Sequence, residues 1–111
     1  MKKMKLVITG GSGKLARYLA PVLAREHAIL LYDKQHPQQS QFPYMKGEVT
    51  DSAKLSEAFR GADGVIHLAA LRSRYNHLPM KVMETNILGT FSVLEAARSE
   101  GVEKLLFSSS D

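Results

Sequence analysis

Thr9-Gly10-Gly11-Ser12-Gly13-Lys14-Leu15-Ala16 is a glycine-rich turn whose flanks decide what it is. Before it, Lys5-Leu6-Val7-Ile8-Thr9 is a short apolar run, the pattern of a strand buried on both faces. After it, Gly13 to Glu26 carries Leu15, Leu19, Val22 and Leu23 at helical spacing. A strand, a glycine turn and a helix in that order suit a phosphate. The turn is tight, the backbone is bare enough for an oxygen to approach, and the helix N-terminus faces the negative charge. Gly10 and Gly13 supply the first two properties, and Ala16 fills the small-residue position where helix and sheet pack closely. Pro21 fits less well, because it removes a helix hydrogen bond and predicts a kink between Arg17 and Pro21.

Outward from the turn the pattern alternates. Ala28 to Tyr32 reads as a second strand ending at Asp33, and His36 to Pro43, rich in Gln and Pro, as a loop. A weak strand lies at Tyr44 to Lys46. Thr50 or Asp51 can cap a helix running through Phe59, with Leu55, Ala58 and Phe59 inward and Gly61 ending it. Gly64 to Leu68 is another buried strand. Pro79 opens a long helix to Ser99, with Met83, Ile87, Phe91 and Leu94 as its apolar, core-facing stripe. Lys104 to Ser108 closes the series. Strands alternating with helices predict an α/β fold, a doubly wound parallel sheet with helices on both faces.

Asp33 turns the glycine pattern into a ligand expectation. It ends the second strand about 20 residues past the turn, where a carboxylate accepts both ribose hydroxyls of an adenine dinucleotide. A carboxylate there repels a 2′-phosphate, which favours NAD over NADP, while Lys34 beside it keeps NADP open.

Composition narrows the rest. The 111 residues make one domain, with 44% hydrophobic content and no cysteine, which suits a reducing cytoplasm. The net charge of +4 is spread along the chain with no aromatic-basic platform, so no nucleic-acid partner is expected. No stretch approaches the roughly 20 apolar residues that span a bilayer, so neither is a membrane. His27, His36, His67 and His77 have no ligand-like spacing, so no metal is expected. Arg72 and Arg74 read either as a contact for an anionic small molecule or as a solvated loop.

At this level of detail the chain resembles the extended short-chain dehydrogenase/reductase family, the NAD-dependent sugar epimerases and dehydratases. The resemblance rests on TGGSGKLA at Thr9 to Ala16, GEVTD at Gly47 to Asp51, HLAA at His67 to Ala70, ETNILGTFSVLEAAR at Glu84 to Arg98 and FSSS at Phe107 to Ser110. It implies that residues 1–111 are an NAD-binding Rossmann domain, the N-terminal part of a longer protein, truncated after the fifth strand. The backbone around Gly10, Gly13, Lys14 and Leu15 would follow the pyrophosphate and Asp33 the adenosine ribose. Glu48, where the family usually has Asp, would reach the adenine amino group, and Val49 would pack on the ring. Leu68, Ala69 and Ala70 would form a small-residue wall beside the nicotinamide half, and Thr85 would touch the cofactor. His67 reads as a strand-end residue held by local hydrogen bonds, and Asn86 as structural.

The resemblance also implies the chemistry. Ser110 would hydrogen-bond the substrate oxygen during hydride transfer, and Asp111 would be the acid that dehydratases of the family place after that hydroxyl. The acid-base Tyr-x-x-x-Lys pair of the family would lie downstream, because Tyr44 is followed four positions on by Glu48 and Tyr75 by Pro79. The expected function is the cofactor-binding part of a sugar or nucleotide-sugar epimerase, dehydratase or dehydrogenase, inactive alone and paired as a homodimer through the long helix. The alternative is a non-catalytic NAD(P)-sensing protein on the same scaffold.

Overall fold

The computed structural model describes residues 2–37, 41–68 and 79–107, and within them all side chains except those at 79 and 81–85. Five parallel strands form one sheet: β1 (Lys5–Thr9), β2 (Ala28–Asp33), β3 (Tyr44–Lys46), β4 (Gly64–His67) and β5 (Lys104–Phe107). Their spatial order is β3-β2-β1-β4-β5, so β1 is central and the order reverses beside it. Among the described residues three helices accompany the sheet: α1 (Lys14–Leu23), α2 (Ser52–Phe59) and α3 (Pro79–Ser99).

Alternation along the strands divides the core in two. Leu6, Ile8, Ile29, Leu31 and Ile66 point to one face and pack with Ala16 and Ala20 of α1. Val7, Tyr32 and Val65 point to the other, against Leu55, Ala58 and Phe59 of α2 and Val93, Ala96 and Ala97 of α3. This is the doubly wound α/β sheet that the alternation predicts. Leu55 and Phe59 are wholly buried, so truncating either to Ala would cost roughly 2–5 kcal/mol. Asp51 caps α2, its side chain accepting from the Lys54 N–H at 3.1 Å. Gly61 ends that helix with φ of 75°.

Both α1 and α3 pack through small residues, which on α3 overturns the expected core-facing stripe. On α1 the buried residues are Ala16 and Ala20, with Leu19 and Leu23 partly buried beside them, while Leu15 and Val22 are exposed. On α3 the buried face is Gly89, Val93, Ala96 and Ala97, and Ile87, Phe91 and Leu94 point outward. The Met83 side chain lies outside the described ones. The cause is distance. A Cβ built on Gly89 would sit 2.7 Å from Val49 Cγ2, so α3 approaches closely through its small residues and leaves its large ones outside.

Element ends shift slightly. α1 closes at Leu23, not Glu26, because the N–H groups of Glu26 and His27 both turn back to Leu23 O, delivering the chain to β2 at Ala28. The helix runs through Pro21, which lies in its last turn and has no N–H to donate back along the helix. β4 stops at His67, one residue early, and Ser108 lies outside the described residues. β5 is a sheet edge with Leu106 and Phe107 exposed. No helix among the described residues is long and apolar enough to cross a membrane.

Candidate functional site

The carboxyl ends of β1, β2 and β4 meet where the strand order reverses, the place at which open α/β sheets bind ligands. The glycine turn leaves β1 there. Gly10 takes φ of 73°, which a side chain would resist. Gly11 is pressed on β2: its N–H donates to Tyr32 O at 3.1 Å, and a Cβ would lie 2.6 Å from Leu31 Cβ. Gly13 donates to Gly10 O at 3.0 Å and stands as the N-cap of α1. No side chain caps that helix, and its first turn holds no acid. The first-turn N–H groups, those of Lys14, Leu15 and Ala16, have no partner within the helix.

Asp33 is fastened to this turn. Its Oδ2 accepts from the Ser12 N–H at 3.0 Å and its Oδ1 from the Gln35 N–H at 3.0 Å. A carboxylate offers about four lone-pair sites, so each oxygen retains capacity for a further donor. The backbone of Asp33 is held as well: its carbonyl accepts from Gly47 N–H at 3.0 Å and from the Tyr44 hydroxyl at 3.1 Å. The end of β3 and the Gly47–Glu48 peptide therefore lie next to the same strand end.

Glu48 is exposed and Val49 half-buried. The Glu48 carbonyl accepts a 2.6 Å hydrogen bond from the Tyr32 hydroxyl. Burial, aided by the carboxylates of Asp51, Glu48 and Glu57, pushes that phenol above its ordinary range. Across the crevice, the Leu68 N–H donates to both the carbonyl and Oγ1 of Thr9, each at 3.1 Å. Thr9 Oγ1 and His67 Nδ1 share a 2.6 Å hydrogen bond in which both residues are buried. Burial lowers the His67 pKa to about 4, so the ring is neutral, a held strand-end residue as its position implies. The His67 ring meets Phe107 edge-on.

The structure thus brings together Gly10, Gly13, Lys14, Leu15, Asp33, Glu48, Val49 and Leu68 at adjoining strand ends. Thr85 lies on α3 but its side chain is not among those described, and Ala69, Ala70, Arg72, Arg74, Ser110 and Asp111 lie outside the described residues. Three residues that sequence reading passed over shape the site: Gly11, Tyr32 and Gly47. Only the triple-glycine turn carried a hint of one of them. A cavity of about 160 Å³ lies behind the turn, bounded by Gly11, Gly13, Ala16, Arg17, Leu31 and Phe42. It adjoins the site without including Asp33 or Glu48. Among the described residues no three acidic or histidine side chains are grouped to hold a metal.

Known proteins are similar to this chain in sequence and in fold. UDP-N-acetylglucosamine 4,6-dehydratase (inverting) from Campylobacter jejuni is 32% identical, over 98% of this chain and 37% of its own. L-arabinose 1-dehydrogenase (NAD(P)(+)) from Haloferax volcanii is also 32% identical, over 96% of this chain and 41% of its own. A mutant of uronate dehydrogenase from Agrobacterium tumefaciens, solved complexed with NAD, superposes with a TM-score of 0.82 at 25% identity, over 98% of this chain and 42% of its own. The chain therefore spans well under half the length of the relatives it matches. The model of the NAD dependent epimerase/dehydratase family matches residues 6–111. On that match, which takes in the turn, Asp33 and all of the sheet but the first residue of β1, the chain belongs to the NAD dependent epimerase/dehydratase family.

Proposed function

We propose that this chain is the cofactor-binding part of an NAD-dependent oxidoreductase that acts on a sugar or nucleotide-sugar, of the epimerase or dehydratase type. The observation that carries the reading is Asp33, its carboxylate tied to the Ser12 N–H of the turn at 3.0 Å. That bond sets a ribose acceptor beside a phosphate cradle. The residues fit a dinucleotide: Gly13 is exposed at an uncapped helix N-terminus, and Gly10 has the backbone conformation of a tight turn. The activities for which the relatives are named support catalysis over the sensing alternative.

Bound NAD would supply a hydride acceptor and donor. The chain's residues would do the holding. The N–H groups around Gly13, Lys14 and Leu15 would bind the pyrophosphate, and the free lone pairs of Asp33 the two ribose hydroxyls. Glu48 would accept from the adenine amino group while Val49 covers the ring. Leu68, Ala69 and Ala70 would wall the nicotinamide half, with Thr85 a further contact. Ser110 would hydrogen-bond the reacting substrate oxygen, and Asp111 would protonate a leaving hydroxyl in a dehydration. The exposed Ile87, Phe91 and Leu94 of α3 support a homodimer through that helix, and the cysteine-free sequence supports a cytoplasmic setting.

Calorimetry on the full-length protein tests the reading. NAD is expected to bind at least several-fold tighter than NADP, and Asp33→Ala to narrow the gap. Equal affinities in the wild type would refute the ribose role of Asp33.

A further inference from the structure

Tyr32 is wholly buried near the carboxyl end of β2, one residue before Asp33. A phenylalanine would fill the same space. The hydroxyl does something a phenylalanine could not, donating to the Glu48 carbonyl at 2.6 Å. Burial and three neighbouring carboxylates keep it protonated, and so a donor. The ring lies directly against the peptide that follows β3, since a Cβ on Gly47 would sit 2.3 Å from Tyr32 Oη and 2.6 Å from Cζ. The same short segment is held twice more, by Gly47 N–H on Asp33 O at 3.0 Å and by the close approach of Val49 to Gly89 of α3. Contacts from β2 and α3 therefore fix residues 47–49. The Glu48 carbonyl is held by the Tyr32 hydroxyl at 2.6 Å together with the Asp51 N–H at 3.2 Å, the Tyr32 bond being the shorter and the one that comes from the sheet.

We infer that Tyr32 is a positioning residue for the purine end of the cofactor, setting through the Glu48 carbonyl the place from which the Glu48 carboxylate reads the base. This rests on the dinucleotide reading above. The chemistry at stake is specific. An adenine amino group donates a hydrogen bond to a carboxylate, whereas the 6-oxo group of hypoxanthine only accepts. A held carboxylate prefers the first base. A loosened one loses the preference while the turn and Asp33 continue to bind phosphate and ribose.

The test uses the full-length protein, with NAD and nicotinamide hypoxanthine dinucleotide as the two probes in calorimetry. Wild type is expected to favour NAD about tenfold, the size of one hydrogen bond to a charged group. Tyr32→Phe should fold, shown by an unchanged near-ultraviolet dichroism spectrum, and bring the ratio to about twofold or less, mainly by weakening NAD. Glu48→Ala marks the ratio with the carboxylate gone. Gly47→Ala pushes on the phenol from the other side and is expected to lower the ratio in the same way, which keeps the test open if Tyr32→Phe does not fold. A folded Tyr32→Phe that keeps the full ratio would overturn the inference and leave the cofactor reading intact. A wild type that binds NAD without preferring it would overturn both the inference and the Glu48 assignment. A wild type that binds neither probe would instead remove the dinucleotide reading on which both stand.

Discussion

Adding one methyl group at Gly11 and one at Gly13 separates two roles that a glycine-rich turn combines. At Gly11 the new Cβ would meet Leu31 Cβ at 2.6 Å and the backbone of Leu31 and Tyr32 at 3.1 Å. None of these atoms is the free end of a flexible side chain, so either the turn lifts off β2 or the strand bends. Lifting would also stretch the 3.1 Å bond from Gly11 N–H to Tyr32 O. Overpacking of this kind costs roughly 1–3 kcal/mol, and with a strained backbone bond added, the upper half of that range is expected. In a domain of this size roughly 2–3 kcal/mol lowers the midpoint of thermal unfolding by about 10 °C. At Gly13 the new Cβ meets, among the described residues, Gly10 O at 3.2 Å, and the residue has an ordinary extended backbone. Its loss of unfolded-state freedom offsets that contact by about 0.4–1 kcal/mol, so stability should scarcely change. Binding should change instead, because the methyl stands where the pyrophosphate would approach, and Gly13→Val should abolish it in a folded protein. Thermal unfolding followed by circular dichroism, with calorimetry for NAD, reads both. Gly11→Ala melting with the wild type would refute the close approach of turn and strand. A folded Gly13→Val that binds NAD normally would show that the turn is only structural.

Two further outcomes follow from the strand ends and from α3. Burial lowers the His67 pKa from 6.5 to about 4, so between those values the unfolded chain takes up a proton that the native state refuses. Stability is then full above pH 6.5 and falls as pH drops toward 4. Urea midpoints from pH 7 to pH 5 should decline in the wild type and run flatter in His67→Gln, and equal slopes would refute the assignment. On α3, Phe91 is the centre of the exposed apolar stripe with Ile87 and Leu94. Phe91→Arg is expected to turn a dimer into a monomer by light scattering, and a wild type that stays monomeric at high concentration would remove that interface.

Strand positions, the cap at Asp51 and the bounds of α3 were legible because each rests on local chemistry: an apolar run, an oxygen three residues from an N–H, a proline at a first turn. The facing of α1 and α3 was not. Periodicity weights large side chains, so it picked out Leu15 and Val22 together with the partly buried Leu19 and Leu23 on α1, and Ile87, Phe91 and Leu94 on α3. Close packing instead chose Ala16, Ala20, Gly89, Ala96 and Ala97, since a helix nears its neighbour only through residues with little to interpose. The site divides on the same line. Asp33 was readable from its spacing to the turn, whereas the bonds from Tyr32 to Glu48 and from Thr9 to His67 join residues 16 and 58 positions apart and leave no mark on either neighbourhood.

The strand order β3-β2-β1-β4-β5 also bears on how the sheet comes into being. Of the five described strands, β1 is synthesised first and lies between the other four. β2 joins one side of it, β3 joins the outside of β2, β4 takes the opposite side of β1, and β5 joins β4. Each of these five strands joins an edge already exposed, and none of the five has to insert between two that have already paired. The topology therefore permits the sheet to grow by accretion in the direction of synthesis, each pairing being compatible with those made before it.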